Sequence, residues 1–127
     1  MEIKLNYGIK ADYTPKSIDV WEAAKPSPLS PNILFAEISG TVCDHFNVDI
    51  SDFMANLKNR EPKWVRLRLF VAKLMHIKGC FLKDIAKQLG KRDHSTIIHS
   101  LRTCANDYQF IKDFRQDFDS VAKRVLQ

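Results

Sequence analysis

GKRDHSTIIH, residues 90–99, places a glycine, two cations and a run of short polar side chains between two helical patterns. Gly90 can take the positive φ that stops a helix. Asp93 can start the next one, because its carboxylate can accept from the amide near Thr96 and its charge meets the positive helix end. Just upstream, Leu82 to Leu89 carries Leu82, Ile85, Ala86 and Leu89 on one side and Lys83, Lys87 and Gln88 on the other. A short amphipathic helix, a glycine-broken turn and a second helix have helix-turn-helix spacing.

At about 100° per residue, His94 to Asn106 separates into two faces. Ile97, Ile98, Leu101, Cys104 and Ala105 form one; Ser95, Thr96, His99, Arg102, Thr103 and Asn106 form the other. A solvated helix face usually carries Lys and Glu, whose long stems hold neighbours away, whereas hydroxyls and imidazoles come close to base edges in a groove. The pattern fits a contact face, and it fits equally a helix that is simply rich in Ser and Thr.

Charge sharpens the choice. The 127-residue chain has a net charge of +5, unevenly spread. Residues 58–102 hold 12 Lys and Arg against 3 Asp and Glu, a local +9, while residues 1–57 hold 4 against 8. A polyanion rewards such a concentration, since each phosphate neutralised releases condensed counterions. A solubilising basic surface would look the same by charge alone.

The remaining chain reads as further helices. Residues 1–31 contain Pro15, Pro26, Pro28 and Pro31 and a brief alternation at Ile3, Leu5 and Tyr7, so they are expected to be an arm with a short strand or extended stretch and a Pro-rich linker. Residues 32–127 then form one small domain. Phe35, Ile38, Val42 and Phe46 have helical spacing, with Ser30 or Pro31 at the start and Asn47 at the end. A short helix follows from Asp49. Pro62 opens a third that runs to about Ile77 and is apolar nearly all round, leaving a narrow stripe for Arg66 and Lys73; such a helix is the centre of a bundle. Gly79 is its expected stop. Phe110, Ile111, Phe114, Phe118, Val121 and Val125 mark a closing helix that packs back on the others. The expected fold is an all-α helical bundle containing a helix-turn-helix.

Several functions find no support in the residues. No GxxxxGK[ST] or GxGxxG run is present, so no nucleotide site is expected. Cys43, Cys80 and Cys104 are widely spaced with no CxxC pair, and are expected to be small buried hydrophobes. His94 and His99 lie about 140° apart on a helix and make poor joint metal ligands. No apolar run approaches the roughly 20 residues of a membrane span. No catalytic residue, cofactor, metal, membrane or small-molecule substrate is assigned, and the protein is expected to be non-enzymatic and intracellular.

GKRDHSTIIHSLR resembles the signature G-G-R-D-H-[ST]-T-[VI]-[LIV]-H-[AS] of the carboxy-terminal DNA-binding domain of the bacterial replication initiator DnaA. The resemblance extends from about Asn32 to Leu126 and leaves out the initiator's ATPase module. It implies a Trp-repressor-like bundle that binds double-stranded DNA at DnaA-box-like sites with the signature helix in the major groove. Carried onto this chain, base readout falls to Arg92, Asp93, His94, Ser95 and Thr96. Asp93 can accept from a cytosine amino group, His94 can lie against a thymine methyl, and the two hydroxyls can reach a base or phosphate. Phosphate contacts fall to Lys83, Lys91, Arg92, His99 and Arg102. The basic segment before the central helix adds Lys63, Arg66 and Arg68, and Arg60 as the counterpart of the family's minor-groove arginine, followed here by Glu61 and Pro62, which weaken that match.

This chain departs from the family in three places. Lys91 stands where the family usually has a second glycine, Ser95 replaces a common threonine, and Arg66-Leu67-Arg68 stands where the family tends to have Ala-Arg-Gln, leaving open which arginine faces DNA. The resemblance implies a bacterial, phage or mobile-element protein, cytoplasmic and nucleoid-associated, that controls replication initiation or transcription by occupying sites. The alternative is an interaction module that binds a replication initiator or another replication protein without reading sequence.

Overall fold

The computed structural model describes residues 29–90 and 93–126, and within them the chain forms six helices and no strand. The expected arm, Lys91, Arg92 and Gln127 lie outside the described residues, apart from Leu29 to Pro31 at the arm's end.

Local chemistry sets the helix boundaries. Helix α1, Pro31–His45, starts where the Ser30 hydroxyl accepts from the Ile33 amide at 3.4 Å. It ends where Asn47 turns to φ 56°, letting the Val48 amide donate to the Cys43 carbonyl (2.8 Å) and the Asn47 amide to Asp44 (3.2 Å). Two otherwise orphaned carbonyls are thereby satisfied. Helix α2, Ile50–Ala55, is capped by Asp49, which accepts from the Ser51 amide and hydroxyl at 3.1 and 3.0 Å. Pro62 opens α3, Pro62–Ile77, and Gly79 at φ 95° closes it with the same reversed turn: Cys80 donates to Met75 and Gly79 to His76, both at 3.0 Å. Helices α4, Leu82–Gln88, α5, His94–Phe110, and α6, Lys112–Val125, complete the order.

Helix α3 lies at the centre, with α1, α4, α5 and α6 packed on it. Ten of its sixteen residues are buried. Phe70 is fully enclosed, and its ring meets Phe46, Phe114 and Phe118 edge-on at centroid distances of 5.3, 5.0 and 5.1 Å. Edge-on packing sets the positive rim of one ring against the negative face of the next. Surface pairs join α1 to α6: His45 Nε2 lies 3.2 Å from Asp117 and Arg124 donates to Asp44 at 2.9 Å. Exposed pairs of this kind stabilise little.

The packing corrects four expectations. Phe110 and Ile111 are 70% and 40% exposed and do not share the closing stripe. Helix α5 runs four residues beyond the pattern, to Phe110, and the chain breaks helix at Ile111, so α6 buries Phe114, Phe118, Val121 and Ala122 instead. Lys73 is not on an exposed stripe: encircled by the helices packed on α3, it is buried at 7% exposure. Cys80, just after the Gly79 turn, packs against the edge of the core and is only half-buried. Burial pushes the Cys43 thiol up to about 11 and the Cys104 thiol to about 12, so both remain protonated and serve as packing groups.

Candidate nucleic-acid interface

Helices α4 and α5 are joined through residues 89–93, with Gly90 at φ 95°. A side chain is disfavoured in that backbone region, which explains the glycine. Ile85, Ala86 and Leu89 of this pair sink into the core with Ile97 and Leu101, fixing the two helices against each other. The first turn of α5 is left at the surface, with Asp93, His94 and Ser95 exposed and Thr96 half-buried. His99, Arg102 and Asn106 continue the exposed face, while Ile97, Leu101, Cys104, Ala105 and Tyr108 line the buried one.

Asp93 organises this turn. One carboxylate oxygen, Oδ1, accepts from the Thr96 hydroxyl (2.7 Å), the Thr96 amide (2.9 Å) and the Ser95 hydroxyl (3.0 Å). The Thr96 hydroxyl, then the Thr96 amide and the Ser95 hydroxyl, hold the carboxyl below its usual range, so Asp93 is an anion at neutral pH. Among the described residues, all the capping bonds fall on Oδ1. With their protons committed to Asp93, the hydroxyls of Ser95 and Thr96 present lone pairs outward. They can accept from a base amino group as they stand, and must release Asp93 to donate to a phosphate.

The cations divide by position. Lys83 is exposed in the first turn of α4, and His99 and Arg102 are exposed on α5. Arg60 is exposed in the segment between α2 and α3. Lys63, at the start of α3, holds its ammonium 4.8 Å above the Trp64 ring. Arg66 is half-buried, its guanidinium 5.3 Å from the centre of Phe114, and lines a shallow groove with Lys63, Thr103 and Asp107. Arg68 is half-buried and donates from Nη1 to the Asn56 carbonyl at 3.0 Å. Lys91 and Arg92 lie outside the described residues.

Sequence reasoning passed over Lys58. A Cβ at Gly90 would sit 3.7 Å from Lys58 Cε, 3.9 Å from its Cγ and 3.8 Å from Leu57 Cβ, so the exposed Lys58 stem lies along the turn. Only the surplus of cations in the segment hinted at it. Among the described residues, no cluster of His, Cys, Asp and Glu could hold a metal, and no helix is long and apolar enough to cross a membrane.

A bundle that sets a capped, short-armed polar turn at its surface, beside exposed cations, defines a helix-turn-helix DNA-binding domain. Residues 35–104 match the model of the bacterial DnaA protein helix-turn-helix, and the chain belongs to that family. It is 27% identical over 100 residues, 77% of its length, to the chromosomal replication initiator protein DnaA of Symbiobacterium thermophilum. It is also 27% identical over 95 residues, 72% of its length, to the initiator of the same name from the Wolbachia of Brugia malayi. The chain spans only about a fifth of these relatives, 21% and 20% of their lengths.

Proposed function

We propose that this chain reads double-stranded DNA at DnaA-box-like sites, with the start of α5 in the major groove, and acts by occupying those sites in the control of replication initiation or transcription. The binding unit in this reading is residues 32–127, working in the cytoplasm on the nucleoid, with no catalytic step. The observation that carries it is the Asp93 turn: an ionised carboxylate whose bonds among the described residues all fall on Oδ1, beside two hydroxyls turned into acceptors and an exposed His94. Acceptors match the amino groups of cytosine and adenine, and the imidazole of His94 can pack on a thymine methyl. In this reading the exposed Lys83, His99 and Arg102 are the phosphate-facing groups, and Lys58, beside Gly90, adds to that set.

Selection of bound duplexes from a random pool at near-physiological salt tests the reading, and an enriched motif is expected. Asp93→Ala and His94→Ala should then each reduce discrimination among sites by about fivefold to a hundredfold, as loss of a good base contact does. Lys83→Ala should weaken all duplexes alike and flatten the salt dependence. Recovery of no motif, with a replication initiator or other replication protein captured instead, would replace sequence reading by an interaction role.

A further inference from the structure

We propose that Arg68 is a positioning residue: it clamps the segment between α2 and α3 so that Lys58 and Arg60 stand ready beside the helix-turn-helix turn, and it does not itself contact DNA. The inference rests on the DNA-binding reading above.

Residues 56–61 form no helix, yet they are densely cross-linked. Asn56 is the hub. Its amide donates to the Phe53 carbonyl (3.0 Å), its Nδ2 to the Asp52 carbonyl (2.7 Å), and its Oδ1 accepts from Asn59 Nδ2 (2.9 Å). The Asn56 carbonyl accepts from two sides, from the Asn59 amide and from Arg68 Nη1, both at 3.0 Å. Asn59 Oδ1 then accepts from the Glu61 amide at 2.9 Å. Leu57 packs partly against the core. Nearly all these bonds are local and join exposed or half-exposed groups to one another. The Arg68 bond differs: it crosses 12 residues, comes from the rigid central helix and is charge-assisted, the stronger kind.

The clamp has a consequence at the turn. With Asn56 tied to α3, Leu57 and Lys58 are held against Gly90. A loose basic segment would lose conformational freedom on meeting DNA, and a preordered one loses less. Arg68 spends an Nη1 donor on the Asn56 carbonyl and is half-buried, while Lys58 and Arg60 are exposed.

The test measures binding of a fluorescein-labelled duplex enriched from a random pool, across a salt series, together with amide hydrogen exchange in the free protein. Replacing Lys58 and Arg60 together by Ala should reduce the salt slope by ~0.9 for each lost phosphate contact, about fivefold in affinity apiece at about 0.15 M salt. Arg68→Ala should weaken binding in the wild-type background, speed exchange of the Asn59 and Glu61 amides, and add nothing once Lys58 and Arg60 are gone. Asn59→Ala cuts the same clamp without touching α3, and should reproduce both effects even where Arg68→Ala unfolds the chain. An Arg68→Ala loss of equal size in both backgrounds would make Arg68 a phosphate ligand and overturn the proposal, as would unaltered binding by Asn59→Ala. A wild-type chain that binds no duplex would remove the DNA reading and this proposal together, an outcome distinct from failure of the clamp alone.

Discussion

Gly90→Ala should destabilise the domain and weaken DNA binding, while Gly40→Ala should do the opposite to stability and leave binding unchanged. At Gly90 the backbone φ is 95°, farther from the right-handed regions than the usual left-handed value of about 57°. Placing a Cβ there costs about 2 kcal/mol, the upper part of the left-handed penalty. The added methyl restricts the unfolded chain and returns about 0.4–1 kcal/mol. No clash adds to the cost, since the nearest atoms, Lys58 Cε and Leu57 Cβ, lie at ordinary contact distances of 3.7 and 3.8 Å. The net loss is about 1 kcal/mol. Gly40 lies inside α1 with nothing within 4 Å of its would-be Cβ, so Ala gains the helical preference of about 1 kcal/mol. For a domain of this size each change moves Tm by ~4–8 °C, in opposite directions. Calorimetry together with titration of an enriched duplex reads both effects. Unchanged stability for Gly90→Ala, or a loss for Gly40→Ala, would refute the backbone argument.

Two further expectations concern the core. Burial, and then the charge of Lys73, lower the His76 imidazole from 6.5 to about 4, so the folded state resists a proton that the unfolded chain accepts. The stability associated with neutral His76 is therefore complete above pH 6.5 and is lost as pH falls toward 4, by about 2 kcal/mol after allowance for its exposed edge. Urea unfolding at pH 7 and pH 4.5 should show a larger acid loss for wild type than for His76→Gln; equal losses would show that His76 does not carry it. Phe70→Ala removes the ring shared by Phe46, Phe114 and Phe118 and should cost about 3–5 kcal/mol in chemical denaturation, a large part of the ~5–15 kcal/mol available to a small domain; a loss below about 2 kcal/mol would contradict the packing.

Most helix boundaries were legible because they rest on neighbours in sequence. Ser30 and Pro31, Asp49, Pro62, Gly79, Gly90 and Asp93 act through bonds spanning a few residues or through a backbone preference of one residue, and each stands at the end expected for it. The Asp93 cap to Thr96 is such a bond. The closing stripe misled at Phe110 and Ile111, where periodicity continues through the residues but the backbone leaves the helix at Ile111. Lys73 misled for the complementary reason: a single-helix projection allots a lysine to solvent, and only the helices around α3 show that no solvent side exists there.

The cations show where local reading stops. Arg66 and Arg68 stand two residues apart and look interchangeable in the sequence, yet one lies near the Phe114 ring on α6 and the other bonds the Asn56 carbonyl. Lys58 gains meaning from Gly90, 32 positions away. Helix type, caps, turn and the polar face of α5 follow from short-range bonding and periodicity, which any stretch of the chain carries within itself. Which lysine borders the turn and which arginine supports the segment beneath it depend on how the other helices settle around one apolar helix, because charge direction is set by neighbours that only folding brings close.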